Sequence, residues 1–216
     1  DNQASFLGSV SDHQSSALVN IGTGSQISAV SEYREADLDI EIRPFIEGKY
    51  LICGSALCGG FAYSMVEAFF RSYMVSAGMQ NTSQYQLMNR LALEAYTSGD
   101  NGLDVDVSFF GKRSDPNKRG AIQNISRENF TPSALVIGIL RGMCNELYEL
   151  YEGFSEKKTN IVASGGGVRN NSVLRNLIGD RFGATVFVNP IKEEAAMGAA
   201  LFSGFVAGQI SYNNGF

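Results

Sequence analysis

Long hydrophobic runs, paired cysteines and histidine are all scarce in this sequence. No apolar run among its 216 residues reaches the roughly 18 that a membrane-spanning helix needs, so we expect no membrane span. The three cysteines, Cys53, Cys58 and Cys144, form no CxxC pair, which argues against a disulfide framework or cysteine metal site and predicts buried free thiols. The single histidine, His13, cannot build a metal cluster or a catalytic triad alone, and we predict it at the surface.

Basic character and a disorder-promoting composition are also missing. Lys and Arg number 17 against 22 Asp and Glu, and this net charge of −5 argues against a broad nucleic-acid surface. Apolar residues make up 44% and charged residues 18%, which excludes general disorder, collagen and coiled coil. No basic segment followed by an apolar one opens the chain, so we expect no signal peptide and a cytoplasmic location.

Two common nucleotide-binding motifs are absent as well. A Walker loop requires GxxxxGK[ST], but Gly48-Lys49 is followed by Tyr and Gly111-Lys112 by Arg. The dinucleotide pattern GxGxxG fails because Ile27 stands where the third glycine belongs. P-loop and Rossmann chemistry are therefore disfavoured.

Apolar periodicity and turn residues predict an alternation of strands and helices. Residues 17–21 and 26–30 are β-branched runs that predict a hairpin, and a third strand is predicted near 43–46 or 51–53. The order is β-β-β-α, an irregular insertion over 97–129, then α-β-α-β-α. This order predicts one α/β domain over residues 1–216, a mixed sheet covered by helices.

The helical segments carry specific predictions about their ends and buried faces. Thr131-Pro132 predicts a helix start, and Asn170 or Asn171 is expected to cap a later helix. The last helix is expected to pack closely through its alanines at 195, 196, 199 and 200. Three- and four-residue spacing predicts the inner faces of two earlier helices. Their residues are Phe61, Met65, Ala68, Phe69 and Ser72 in the first, and Leu87, Leu91 and Ala95 in the second.

Two glycine-rich turns could carry function. The Gly-Thr-Gly-Ser turn at 22–25 offers backbone amides and hydroxyls that suit phosphate oxygens, or it is simply a hairpin that needs positive φ. The Ser-Gly-Gly-Gly turn at 164–167 joins a strand to a helix N-terminus, where a flat ligand could lie on bare backbone. Composition does not rank the candidate carboxylates, which are Asp1, Asp12, Asp100, Asp104 and Asp106.

Five segments, in order, resemble the FGGY carbohydrate kinases along almost the whole chain. They are DNQAS at 1–5, NIGTGS at 20–25, the 109–120 stretch FFGKRSDPNKRG, ASGGGVRNN at 163–171 and EEAAMGAA at 193–200. All five match segments in the C-terminal half of that family's fold. The resemblance implies an actin-like (ribonuclease H-like) ATPase domain with helices on both faces of its sheet.

The resemblance also implies individual roles. Asp1 matches the aspartate that acts as general base on the sugar hydroxyl. The implied nucleotide contacts are Gly22, Thr23 and Gly24 in a phosphate-binding hairpin, Gly54 near the nucleotide, and Gly165, Gly166 and Asn170 in an adenosine-binding turn. Cys58 departs from the pattern, since some relatives carry a polar nucleotide contact there.

In this family ATP, with Mg²⁺, lies between two domains. The first phosphate loop and most sugar contacts belong to an N-terminal domain that this chain lacks. We therefore expect the chain to be the ATP-side half of a longer protein, inactive alone, whose substrate is a ketose such as sedoheptulose, and a homodimer stays open. The alternative is an actin-like nucleotide-binding regulator or scaffold without phosphate transfer. Asp1 discriminates between them, because a scaffold needs no carboxylate facing the γ-phosphate.

Overall fold

A mixed sheet of six strands organises the computed structural model, which describes residues 1–34, 39–100, 102–213 and 215. The strands are β1 (Ser16–Ile21), β2 (Ser25–Ser31), β3 (Ile40–Pro44), β4 (Tyr50–Ala56), β5 (Asp104–Asp106), β6 (Ala121–Gln123), β7 (Asn160–Ser164) and β8 (Thr185–Val188). The sheet order is β3-β4-β2-β1-β7-β8, while β5 and β6 form a separate pair. The neighbours of β1 are antiparallel β2 and parallel β7, so β1 joins a meander to a β/α unit.

The predicted hairpin is confirmed, and both alternatives for the third strand are strands. β1 pairs with β2 from Leu18–Ser28 to Ile21–Ser25, which leaves residues 22–24 as the tip. β3 and β4 flank a short 3₁₀ turn, Ile46–Gly48. The extra strand widens the predicted sheet without changing its class.

Helices cover both faces of the sheet, as expected. They are α1 (Asn2–Ser9), α2 (Gly60–Ser76), α3 (Tyr85–Ser98), α4 (Pro132–Glu152), α5 (Gly166–Asn170), α6 (Ser172–Phe182) and α7 (Glu194–Val206). Because strand side chains alternate, Leu18 packs with Phe6 of α1 on one face, and Val19 joins the larger core with Leu140 of α4 on the other. Among the described residues, no helix is both long and apolar enough to cross a membrane.

Two predicted helix starts are confirmed by side-chain caps. The hydroxyl of Thr131 accepts a hydrogen bond from the Ala134 amide at 3.2 Å. The side chain of Asn171 accepts from the Leu174 amide at 3.0 Å, so Asn171 rather than Asn170 is the cap. Such caps satisfy amides that the first turn of a helix leaves free.

The predicted inner face of α2 is wrong. Met65 and Phe69 are exposed, and the buried face consists of Ala62, Tyr63, Val66 and Glu67. The carboxylate of Glu67 accepts a hydrogen bond from the Gln84 amide at 3.0 Å, which ties this face to the start of α3. The helix is apolar on both sides, so spacing alone selected the wrong stripe.

The faces of α3 and α7 are also partly corrected. In α3 the buried residues are Met88, Ala92 and Ala95, whereas Leu87 is exposed. In α7 the only buried residue is Gly198, and three of the four alanines are exposed. Close packing of α7 therefore uses a glycine and not the alanine face.

His13 was predicted at the surface, and this prediction is wrong. The imidazole is buried between aromatic rings; its Nδ1 lies 2.7 Å from the Tyr212 hydroxyl and its Nε2 2.9 Å from the Val10 carbonyl oxygen. Burial lowers the pKa of His13 to about 4, so the ring is neutral at pH 7. The prediction of buried free cysteines is confirmed for all three thiols.

Candidate active site

A pocket of about 540 Å³ lies where the β1–β2 hairpin meets α2, α3 and the turn around α5. The hairpin lines it with Gly22 and Thr23, and the turn lines it with Gly166 and Asn170. Four residues that the sequence assigned to one ligand are therefore brought together. The volume lies within the range of small-molecule and cofactor sites.

The hairpin tip is fastened to the first turn of α2. The Gly22 carbonyl oxygen accepts from the Gly60 amide at 2.9 Å, and the Thr23 carbonyl oxygen accepts from the amides of Gly59 and Phe61 at 3.1 and 3.0 Å. A Cβ on Gly59 would lie 2.3 Å from the Gly24 carbonyl carbon, so only glycine allows this approach. The paired glycines 59 and 60 thus fix the hairpin tip. They were not predicted as site residues, although they follow a strand and begin a helix as the other glycine turn does.

The carbonyl oxygens of Gly22 and Thr23 accept hydrogen bonds from the start of α2, whereas other groups of the hairpin tip are donors without an acceptor in the described residues. The Gly22 amide donates to the Gly24 carbonyl oxygen at 3.0 Å. The Thr23 hydroxyl and the amides of Thr23 and Gly24 find no acceptor within the described part of the chain. Neither glycine has a positive φ, so the interpretation of a hairpin that needs positive φ is wrong. Free amides at a bare turn are the donors that phosphate oxygens require.

The triple-glycine turn divides its glycines between packing and the pocket. Gly165 has φ of 90°, and a Cβ there would lie 2.4 Å from the Ile21 carbonyl oxygen. A Cβ on Gly167 would lie 2.9 Å from Cγ2 of Ile21. A Cβ on Gly166 would meet nothing within 4 Å. Gly166 is therefore the one glycine of this turn that packing does not require, and its missing side chain leaves space in the pocket.

A hydrogen-bonded group of side chains lines the pocket from α2, α3 and the N-cap of α6. The Tyr63 hydroxyl donates to Oδ1 of Asn89 at 2.9 Å, and Nδ2 of Asn171 donates to the same oxygen at 3.2 Å. The rings of Tyr63 and Tyr85 are stacked with centroids 6.0 Å apart. Burial raises the pKa of Tyr63, so its hydroxyl stays protonated. Sequence reasoning missed Tyr63, Tyr85 and Asn89, because nothing in a single sequence links residues on separate helices.

Asp1 lies in a neighbouring groove on the α1 face of the sheet. It shares this groove with Asn20 and Gln26, the paired residues at the base of the hairpin, and with Arg43. Asp1 stands at the N-cap position of α1, but its side chain accepts no capping hydrogen bond from that helix. Asp1 is exposed beside the hairpin, and no hydrogen bond to its carboxylate occurs within the described ranges of the chain.

Other predicted residues do not line the pocket. Gly54 lies in the middle of β4, where a Cβ would come within 2.7 Å of Cβ of Leu150 in the core. Gly24 packs its bare face toward the Ala56 carbonyl oxygen. Cys58 is buried, and burial raises the pKa of its thiol to about 11. No group of three metal-binding side chains occurs within the described ranges.

Comparison with known proteins gives a consistent result. Residues 19–207 match the FGGY family of carbohydrate kinases, C-terminal domain. A xylulose kinase of Staphylococcus epidermidis is 24% identical over 217 residues, which cover 96% of this chain and 41% of that protein. The chain thus spans about two fifths of the length of such relatives.

Solved structures share the fold. The ligand-bound xylulose kinase from Lactobacillus acidophilus superposes with a TM-score of 0.80 at 19% identity, covering 97% of this chain and 42% of that one. The glycerol kinase of Plasmodium falciparum with ADP gives a TM-score of 0.73 at 17% identity, covering 98% and 42%. The expected actin-like α/β fold is therefore confirmed.

Proposed function

The chain belongs to the FGGY family of carbohydrate kinases, as its C-terminal domain, and on that premise we propose that the complete protein transfers the γ-phosphate of ATP to a sugar hydroxyl. One observation carries the proposal. A nucleotide-sized pocket has hydrogen-bond donors at one end, on Thr23, that find no acceptor among the described residues, and bare backbone at Gly166 along its wall. Phosphoryl transfer depends mostly on positioning and charge stabilisation, and such a pocket provides both.

Asp1 is the proposed general base. Its carboxylate is exposed and lies in the groove that contains Asn20 and Gln26 at the base of the hairpin. A sugar hydroxyl in that groove would give its proton to the carboxylate while its oxygen attacks the γ-phosphate held at the tip. Asn20 and Arg43 supply polar groups that suit a polyhydroxylated substrate.

Mg²⁺ would arrive with ATP and not in a preformed site of the described residues. The described residues contain no group of three metal-binding side chains, whereas phosphates, water and one or two carboxylates are the usual Mg²⁺ ligands. When bound, the ion would offset the negative charge of the phosphates.

A ketose is the proposed substrate class. The relatives include xylulose kinases, and the opening segment and the hairpin resemble those of sedoheptulose kinases, so both similarities favour a ketose. Most of the sugar contacts and the first phosphate loop would come from an N-terminal domain, since the chain spans 41% of the length of its relatives. We therefore propose that this chain alone does not turn over, and that it is active only within the complete protein.

The test is sugar-dependent ADP formation by the complete gene product. Xylulose, sedoheptulose, gluconate and glycerol are each supplied with ATP and Mg²⁺, and ADP is measured against a reaction without sugar. Stimulation by at least one ketose is expected. Tight ATP binding with no sugar-dependent ADP from any of the four would favour the regulator or scaffold instead.

A further inference from the structure

In the side-chain amide of Asn89, the oxygen accepts two hydrogen bonds, whereas the nitrogen donates none to the described residues. Its Oδ1 accepts from the Tyr63 hydroxyl at 2.9 Å and from Nδ2 of Asn171 at 3.2 Å. Its Nδ2 donates no hydrogen bond to any residue that the structure describes, and Asn89 lines the pocket. The unused donor therefore belongs to the wall of the nucleotide pocket.

The orientation of this amide is fixed by the backbone of α6. The Leu174 amide donates to Oδ1 of Asn171 at 3.0 Å, so Nδ2 of Asn171 must be the atom directed at Asn89. If the side-chain amide of Asn89 were rotated by 180°, its Nδ2 would face Nδ2 of Asn171, and both atoms are donors. A donor left without an acceptor is unfavourable, and this cost holds Asn89 in one orientation.

We infer that Asn89 recognises the base of the nucleotide by donating a hydrogen bond from Nδ2 to a ring nitrogen of adenine. This inference rests on the proposed function, because it requires a nucleotide in the pocket. Adenine has three acceptor nitrogens on its edges, N1, N3 and N7, and the pocket offers Asn89 as a donor of fixed orientation. Tyr85, stacked on Tyr63 and partly exposed, provides an aromatic face beside it.

The assignment of the two ends of the pocket follows from their chemistry. The hairpin end offers backbone amides and a hydroxyl, which suit phosphate oxygens. The α3 end offers aromatic rings and the neutral amide donor of Asn89, which suit a flat heterocycle and bind phosphate poorly. Asn89 therefore reads the base and has no part in the phosphoryl transfer itself.

The experiment combines one substitution with ligand atoms removed one at a time. Asn89→Asp keeps both acceptor functions toward Tyr63 and Asn171 but replaces the donor with a carboxylate oxygen. Affinities are measured by calorimetry on the complete protein for ADP, 1-deaza-ADP, 3-deaza-ADP, 7-deaza-ADP and pyrophosphate. Asn176→Asp on the exposed surface of α6 is the matched control for charge. Asn89→Ala is a second variant, which removes the whole amide, donor and acceptor together, without adding charge.

In the unaltered protein, one deaza analogue should bind about tenfold more weakly than ADP. Both Asn89 variants should bind ADP at least about tenfold more weakly than the unaltered protein does. They should bind that same analogue no more weakly than they bind ADP. Their affinity for pyrophosphate should stay unchanged. If the variants and the unaltered protein all lost the same factor of affinity between ADP and the analogue, the role of Asn89 would be overturned and the proposed function would stay intact. No binding of either ADP or pyrophosphate by the unaltered protein would overturn both.

Discussion

Gly8 on α1 and Gly198 on α7 bring the two helices into direct backbone contact. A Cβ built on Gly198 would lie 1.8 Å from the Ala4 carbonyl oxygen, and one built on Gly8 would lie 2.0 Å from that of Glu194. Because α1 begins immediately after Asp1, this crossing fixes the element that carries the proposed base. The contact links the last helix of the chain to its first.

Gly198→Ala should destabilise the fold, because neither backbone can yield to the added methyl group. We expect the free energy of unfolding to fall by about 2–3 kcal/mol, despite the better helix propensity of alanine. Gly204→Ala in the same helix is the control, since its Cβ would lie 3.3 Å from side-chain carbons of Ile210, which can move. Chemical denaturation of both variants decides the matter, and equal stabilities would contradict the role assigned to the crossing.

Gly166→Val should block the nucleotide while leaving the fold intact. A Cβ at this position meets nothing within 4 Å, so the larger side chain occupies the pocket and not the core. We expect the KM for ATP of the complete protein to rise by at least about tenfold, with an unchanged thermal midpoint.

Gly167→Ala provides the contrast to Gly166→Val. Its Cβ would lie 2.9 Å from Cγ2 of Ile21, so we expect a lower thermal midpoint from a smaller substitution. An unchanged KM for ATP in Gly166→Val would remove the turn from the nucleotide site.

Local patterns predicted most of the elements and one part of the site. The 22–24 hairpin and the 164–167 turn were identified because strand periodicity stops at glycines, which is a signal contained in a few neighbouring residues. The Thr131 cap was predicted from an N-cap residue followed by proline, and Asn171 was one of two candidates for the later cap. Each of these features can be predicted from a few residues that are neighbours in the sequence.

The features that the sequence did not predict depend on contacts between distant segments. α2 carries apolar residues on two sides, and the hydrogen bond that the Gln84 backbone amide donates to the Glu67 carboxylate shows which side faces inward. His13 is buried by Tyr212, which lies 199 residues later in the chain. Asn89 and Asn171, 82 residues apart, meet only through the packing of α3 and α6. A single sequence contains no record of such pairings.

Asp1→Asn should abolish most turnover without affecting the fold. The variant keeps the size of the side chain but removes its basic oxygen, so we expect kcat of the complete protein to fall by at least about a hundredfold, with ATP affinity little changed. Stability should stay constant, because the Asp1 side chain caps no amide of α1. Asp180→Asn, on the exposed surface of α6, is the matched control. A less stable but nearly fully active Asp1→Asn protein would instead indicate a structural residue.

Two buried groups should give the protein opposing dependences of stability on pH. Burial lowers the pKa of His13 from 6.5 to about 4, so the unfolded chain binds the extra proton and stability falls as pH drops below 6.5. Burial raises the pKa of Glu146 from 4.5 to about 7, so the folded chain binds the extra proton and stability falls as pH rises toward 7. Over pH 5–7 each group changes the unfolding free energy by about 2 kcal/mol, with opposite sign.

The unaltered protein should therefore show a nearly flat profile of unfolding free energy between pH 5 and 7. Glu146→Gln removes the falling component, so its stability should rise by about 2 kcal/mol across that range, owing to His13. His13→Gln removes the rising component, so its stability should fall by a similar amount. Because the chain has one histidine, no other side chain of that type can replace the lost slope. Denaturation series at several pH values measure these slopes whatever the absolute stability of each variant. Parallel flat profiles in all three proteins would show that neither group changes its proton affinity on folding.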